Sequence, residues 1–415
     1  MRTRVIAVLG IAVLLGVVAA TAQAGGQRVA ANKLTVWLQV DAQSGWPDVV
    51  AAANQQFQQA NPGWTVDVQY QNWSDHLQKF DATIAGNSTP DVIEMGNTEM
   101  TKYMAAGAFA DLTAAKGTFQ NSANWLSGLA KSGQYGGKTY GIPYYAGSRV
   151  ITYRSDLFQK AGIKQPPTSL AQFEAAMVKI GKQNKVKGFS PLYVGGQDWY
   201  TALSFVFDYG GSIAQQVSGK WKGTLASPKS IAGLTAFKTF FQLTQSKSTA
   251  TLDGTNPFPY TVFSQGRTSA NYGPAWYSCC TGAKYKTVTQ QFVMPSHTKG
   301  LPMPGFLGGS DLAVPVQSNN KAQATQWLAD FTNTVNEKAL QAKGNIPNAT
   351  NLLGSSVNER AAARSWFVPQ AKHWVDVENG NILKTMLSQI LTGKLTVKQA
   401  ATVASDNITQ TLNGA

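Results

Sequence analysis

From residue 33 onward the apolar positions switch between two periods. Residues 33–40 (KLTVWLQV) form a short, β-branched apolar run of strand length. Trp46-Pro47-Asp48 opens a helix, with proline in the first turn, where its missing N–H costs little. Val49, Val50, Ala53 and Phe57 then recur at helical spacing until Asn61-Pro62-Gly63 stops them. Trp64, Val66, Val68 and Tyr70 alternate, as in a half-buried strand. Leu77, Phe80 and Ile84 share one helical face ahead of Gly86, and residues 90–95 read as a third strand. The order β-α-β-α-β predicts parallel strands joined by crossover helices, an α/β fold. In such sheets ligands sit beyond the carboxyl ends of the strands, which singles out the loops at 41–45, 71–75 and 94–99.

The pattern continues more loosely. Residues 137–143 read as a turn and an extended segment, and 150–153 as a strand. Thr168 and Ser169 precede a helix through Gln183 whose buried face is Leu170, Phe173, Met177 and Ile180, with Gln172 placed for a capping box with Ser169. A strand-like 312–314 follows Gly308-Gly309-Ser310. Residues 321–340 predict one long amphipathic helix with Trp327, Leu328, Phe331 and Val335 inward, and 382–391 another. Glycine-rich crossings near Pro143 and Gly305 read as hinges rather than tethers.

Composition adds a compartment. Arg2 and Arg4, the apolar run 5–20 and Ala22-Gln23-Ala24 make a secretory leader over residues 1–24; roughly 16 apolar residues is short for a bilayer span. With no cysteine at the cut, a periplasmic or secreted protein is expected rather than a lipid-anchored one. The net charge of +14 is scattered, without a basic block of nucleic-acid-binding type. The chemistry of the usual short motifs is missing. The three histidines are far apart, and there is no zinc-protease, nucleophile-elbow, phosphate-loop or dinucleotide signature. No cofactor, metal or nucleic acid is therefore expected. Aromatics are plentiful, with 11 Trp and 14 Tyr. Several sit in loops beside polar residues, where a ring can cover the C–H face of a sugar while nearby Asp, Glu, Asn and Arg take its hydroxyls.

A series of segments, in order, resembles the extracellular solute-binding proteins of ABC importers, in the sugar-binding branch that includes maltose-binding protein. They are "LTVW", "IAGNSTPDVIEMGN", "GGKTYGIPYY", "YRSDLFQKAGIKQPPTSLAQFE", "FSQGRTSANYGPAW", "GGSDLAVPVQSNNKAQATQWLADF" and "KGNIPN". The resemblance implies the two-lobed periplasmic-binding-protein fold (type II), with mainly parallel sheets, hinge crossings and a ligand cleft between the lobes. One lobe would comprise residues 33–143 plus 309–345, the other 144–308 plus 346–415. It further implies a monomer that captures a sugar, a di- or oligosaccharide in size, delivers it to the permease subunits and does no chemistry. Carried over residue by residue, the ligand set is Asp41 and Gln43; Trp73; Glu94, Asn97 and Glu99; Tyr145, Ser148 and Arg149; Asp198, Trp199 and Tyr200; Trp276 and Tyr277; and Gly309, Ser310 and Asp311. Met95 stands where a stacking Trp is often found, and Gly147 where an acid often is. Arg149 leaves room for an acidic sugar.

Two rival ligands keep the same fold. Ferric iron would use a tyrosine pair, but neighbours on an extended segment, such as Tyr144 and Tyr145, should point apart. A polyamine would use clefted acids, against the pull of a basic chain. An exported carbohydrate-active enzyme is a third reading. Cys279 and Cys280, the chain's only cysteines, leave three states open: free thiols, a disulfide between neighbours, or pairing between molecules. Such a bond would span about 3.8 Å between Cα atoms, below the usual 4.4–6.8 Å, and would close almost no loop. Its use would be to shape the turn that carries Trp276 and Tyr277.

Overall fold

The computed structural model describes residues 32–362 and 364–414; the expected leader lies outside the described residues. The first lobe holds β1 (Asn32–Gln39), α1 (Val40–Gly45), α2 (Pro47–Ala60), β2 (Trp64–Gln71), α3 (His76–Ala85), β3 (Val92–Gly96) and α4 (Met100–Ala105). The chain then runs through β4 (Gly141–Gly147) into the second lobe, with β5 (Arg149–Arg154), α5 (Leu170–Gln183), β6 (Ser190–Tyr193), α6 (Trp199–Asp208), α7 (Pro228–Thr244), β7 (Thr268–Pro274) and β8 (Thr289–Phe292). It returns by β9 (Gly308–Ala313), followed by α8 (Lys321–Phe331) and α9 (Thr334–Ala342), and ends in the second lobe with α10 (Trp374–Asn379), α11 (Ile382–Thr392) and α12 (Val397–Leu412).

The first sheet has the order β2-β1-β3-β9-β4. β1 is parallel to β2 and β3, while β9 is antiparallel to β3 and β4. Alternation of side chains along β1 decides what covers each face. Leu34, Val36 and Leu38 pack with Val49, Val50 and Phe57 of α2 and Trp327, Leu328 and Phe331 of α8. Trp37 and Ile93 pack on the other face with Phe80 of α3 and Met100 and Met104 of α4. The second sheet has the order β8-β5-β7-β6, with β7 parallel to β6 and the other pairs antiparallel. Its core draws Phe173 and Met177 from α5, Phe205 from α6, Phe237 from α7 and Ile408 from α12. Each sheet is thus mixed, with the antiparallel members contributed by strands that carry the chain between lobes.

Four expectations meet the structure differently. The lobe border falls later than residue 143: β4 pairs with β9 along Gly141–Gly147, so Tyr144 and Tyr145 belong to the first lobe and the crossing lies at Ser148. The second border is also later than 345, because Ile346 pairs with Ala146 and Leu352 packs in the first lobe's core. The predicted single helix over 321–340 is two helices. Asn333 accepts from the N–H of Asn336 at 2.9 Å and restarts the helix, which turns Val335 outward at 75% exposure. Tyr144 and Tyr145 do not point apart: their rings meet edge to face at 4.7 Å. The register against β9 slips between Ser310 and Asp311, and such a bulge breaks strict alternation.

Packing at β9 leaves no room for a side chain at one position. A Cβ on Gly309 would lie 2.1 Å from the Tyr145 carbonyl oxygen. Gly309→Ala should therefore push β9 from β4 and lower the unfolding free energy by about 1–3 kcal/mol in denaturant titration. An unchanged midpoint would mean that the strand pair yields without cost.

Candidate ligand-binding site

Because β2, β1 and β3 lie side by side and in parallel, their carboxyl ends deliver three segments to one edge. The segment after β1 is the short helix α1, not a loop, and it presents Asp41 and the exposed Gln43. Trp73 follows β2 and stays 36% exposed, with its indole N–H donating to the Asp41 carboxylate. Its ring meets the His76 imidazole edge to face at 5.1 Å. His76 in turn lies 2.9 Å from Glu99, whose same oxygen accepts from the Gly96 N–H at 2.9 Å. One hydrogen-bonded chain therefore ties all three strand ends together.

The surroundings of His76 favour its protonated form. Its Nδ1 faces the Trp73 carbonyl at 3.2 Å and its Nε2 the Glu99 carboxyl group at 2.9 Å. Burial alone would lower the His76 pKa, but the charge of Glu99 and these hydrogen bonds hold it above its ordinary value. Glu94, on the strand itself, is fully buried; burial pushes its carboxyl up to about 7 although the Gln39 N–H donates to it. Burial likewise raises Asp41, against the opposing bond from Trp73.

The second lobe offers a matching edge. Asp198, after β6, caps α6 by accepting from the N–H of Thr201 and takes the guanidinium of Arg149, the first residue of β5. Arg149 also lies over the rings of Tyr200 and Tyr272, 5.5 and 5.6 Å from their centroids. Trp276 and Tyr277 follow β7 in the short 3₁₀ helix Ala275–Cys280, where Trp276 is half-buried and Tyr277 buried. Tyr260 stands against both, 5.8 Å from the Trp276 ring and 5.1 Å from the Tyr277 ring. Burial raises the phenols of Tyr260 and Tyr277, and the Asp41 carboxylate of the opposite lobe adds to the rise in both. Glu378 of α10 is raised to about 8, by burial first and then by Glu99 across the cleft. The lobes touch where Asn97 Nδ2 donates to the Leu307 carbonyl at 3.4 Å and where Thr98 meets Glu378 at 3.5 Å.

The expected residues thus divide. Asp41, Trp73, Glu99, Arg149, Asp198, Tyr200, Trp276 and Tyr277 come together along the two facing edges, with Asn97 between them. Gln43 is at the rim. Trp199 is a core residue, surrounded by Phe306, Trp366 and Trp374. Tyr145 is packed edge-on against Trp46 in the first lobe's core. Ser148 works through its backbone at the crossing, donating to Asn358 and accepting from Ala275. Gly309 holds the Asn97 N–H with its carbonyl, and Ser310 is buried beside Glu94 and Tyr145. Asp311 is fully buried with its carboxylate on the Ser132 hydroxyl at 2.7 Å, and burial pushes it up to about 7. His76, Tyr260 and Glu378 were not anticipated. In the sequence His76 stands in no motif, Tyr260 opens a six-residue helix, Pro259–Ser264, too short to show a period, and Glu378 is brought in by the far C-terminal helices.

The architecture has relatives. Residues 38–336 match the family model described as "Bacterial extracellular solute-binding protein". The chain belongs to that family. Among characterised members, this solute-binding protein is 30% identical over 414 residues, 95% of each chain, to the diacetylchitobiose binding protein DasA of Streptomyces coelicolor. Its fold is that of the GacH receptor of Streptomyces glaucescens, solved unliganded and with acarbose (TM-score 0.79, 19% identity, 92% of this chain and 98% of that one). It is also that of maltose-bound MalE3 of T. maritima (TM-score 0.76, 17% identity, 91% and 99%). Among the described residues no helix is long and apolar enough to cross a membrane.

The raised groups fix the sign of the pH dependence. Glu94 and Glu378 (ordinary value 4.5), Asp311 (3.8) and His76 (6.5) all bind their protons more tightly in the folded chain than in the unfolded one. Their contribution to stability is present in full at low pH and is lost as pH rises through about 7 to 8. The melting temperature should fall between pH 5.5 and pH 8.5, and Glu94→Gln should make that fall shallower. A wild-type profile that is flat or rises across this range contradicts the assignment.

Proposed function

We propose that this protein is the exported receptor of an ABC importer, that it takes up a di- or oligosaccharide between its lobes, and that it passes the sugar unchanged to the permease. The leader at residues 1–24 would direct it to the periplasm or outside the cell. The single observation that carries this reading is the pairing of two strand-end edges across one cleft. Trp73, with Asp41 hydrogen-bonded to it, stands on one side; Trp276, Tyr277 and Tyr260, with Arg149 and Asp198, stand on the other. Aromatic faces and hydrogen-bonding groups in that combination suit a sugar, whose rings are apolar on their C–H faces and polar at their edges.

The charge state narrows the ligand. Arg149 is neutralised by Asp198, so it offers donors rather than free positive charge, which argues against an acidic sugar. A polyamine is also disfavoured, because the acids are already engaged: Glu99 by His76 and Gly96, Asp41 by Trp73, Glu94 by Gln39. Tyr144 and Tyr145 are enclosed in the first lobe's core and unsuited to iron. A neutral oligosaccharide fits best, and the acetylated amino sugars named for the DasA relative are the first to try.

A thermal-shift screen of neutral, acidic and N-acetylated mono-, di- and oligosaccharides should show a rise in melting temperature for a neutral or N-acetylated member, without turnover. If only polyamines or ferric iron raise it, or if products appear, the reading fails. Trp276→Ala should weaken binding of the responding sugar by about 1–3 kcal/mol in calorimetry. Its far-ultraviolet spectrum should be unchanged; equal affinity would remove Trp276 from the contact surface.

A further inference from the structure

Cys279 and Cys280 are joined to each other in a disulfide, with Cα atoms 3.8 Å apart. A bond between neighbours removes almost no freedom from the unfolded chain, so it is poorly suited to stabilising the lobe as a whole. Its position is more informative. It closes the short 3₁₀ helix Ala275–Cys280, which carries Trp276 and Tyr277, and Ser278 and Cys279 are exposed.

The rest of that turn is tied at its start. The Ala275 N–H donates to the Ser148 carbonyl at 3.2 Å, where the chain crosses between lobes. The Ala275 carbonyl accepts from the Gln291 side chain at 2.6 Å. The Tyr277 ring lies over Gly273, where a Cβ would come within 2.4 Å of it. The backbone of Trp276 faces Gly344 of the first lobe, 3.6 Å from where a Cβ would stand. The far end has weaker ties, the Thr281 hydroxyl donating to the Ser278 carbonyl at 3.3 Å and meeting the Thr289 hydroxyl at 3.1 Å. A six-residue turn of this kind has few internal hydrogen bonds and is a poor holder of side-chain direction by itself.

We propose that the Cys279–Cys280 disulfide is a positioning element for ligand binding: it locks the exposed end of the Ala275–Cys280 turn so that Trp276 and Tyr277 are held ready for the sugar, and its reduction loosens the turn and weakens binding while the lobe stays folded. The ligand part of this inference rests on the sugar reading given above. The chemistry is one exchange. A dithiol reductant transfers two electrons and two protons to the Cys279–Cys280 sulfurs, giving two thiols, and leaves as its own cyclic disulfide. Preorganisation lowers the ordering that binding must impose, so its loss appears in affinity and not in fold stability.

The test compares the oxidised protein, the protein reduced with dithiothreitol and the double variant Cys279→Ser/Cys280→Ser. Amide hydrogen exchange without ligand is read over residues 275–281 and over the second lobe's core. Affinity is read by calorimetry with diacetylchitobiose, maltose and the sugar that gives the largest thermal shift. Exchange in the turn should speed up at least about tenfold in the reduced and variant proteins with the core unchanged, affinity should fall about 5- to 50-fold, and the melting temperature should move little. Reoxidation of the reduced protein should restore both readings, whereas the variant stays weak. Unchanged exchange in the turn overturns the inference, and so does faster exchange with unchanged affinity. A large drop in melting temperature would assign the bond to fold stability instead, overturning it as well. If the oxidised protein binds no sugar at all, the ligand reading fails, and with it the binding role of the disulfide, while the exchange contrast still reports whether the bond holds the turn.

Discussion

The pairing of β9 with β4 governs the rest of the molecule. Both strands carry the chain between lobes, and both lie in the first lobe's sheet, with Gly308 opposite Gly147 where they leave it. These two of the three crossings therefore emerge side by side; the third follows Leu352, where the chain returns to the second lobe. Gly309 makes the pairing close enough to work, since its missing Cβ lets the strand sit against the Tyr145 carbonyl. Its own carbonyl then receives the Asn97 N–H, so the hinge strand and the carboxyl end of β3 are parts of one hydrogen-bonded unit. A third tie lies next to it: Asn358 accepts from the Ser148 N–H and donates to the Gly344 carbonyl.

Electrostatics give the cleft a character opposite to that of the chain. The protein is strongly basic as a whole, at +14, yet among the charged residues named on the facing edges the acids Asp41, Glu99, Asp198 and Glu378 outnumber the one arginine, Arg149. The acids are quieted locally. Glu99 lies against His76, Asp198 against Arg149, and burial pushes the carboxyls of Glu94 and Glu378 up to about 7 and 8.

Much of this was legible in the residues. The alternation Trp64, Val66, Val68, Tyr70 and the helical spacing Val49, Val50, Ala53, Phe57 led to β2 and α2, and the β-α-β-α-β order led to the edge where Asp41, Trp73 and Glu99 now stand. Local periodicity was weaker where tertiary contact decides. Val335 kept the helical period of α8, but the Asn333 cap broke the helix, and a cap competes with a period only once the chain around it is packed. Trp199 and Tyr200 were alike in sequence, two aromatics behind Asp198. Only the C-terminal segment, which brings Trp366 of the strand Ser365–Trp366 and Trp374 of α10 against Trp199, separates the core member from the one beside Arg149.

The same limit explains the unanticipated residues. His76 carries no motif, because its partners are a carbonyl three residues back and a carboxylate on the next strand end. Its role follows from topology: once β2, β1 and β3 are parallel neighbours, whatever follows β2 must meet whatever follows β3. Trp73, His76 and Glu99 are then within reach of one another, and the imidazole and the carboxyl group partner each other where both are buried. The network is thus a consequence of strand order more than of any residue's own propensity. The first lobe can present Trp73 and Asp41 as a fixed surface because their support belongs to the sheet. Trp276 and Tyr277, on a turn with no sheet beneath its far end, need their rigidity from a covalent source.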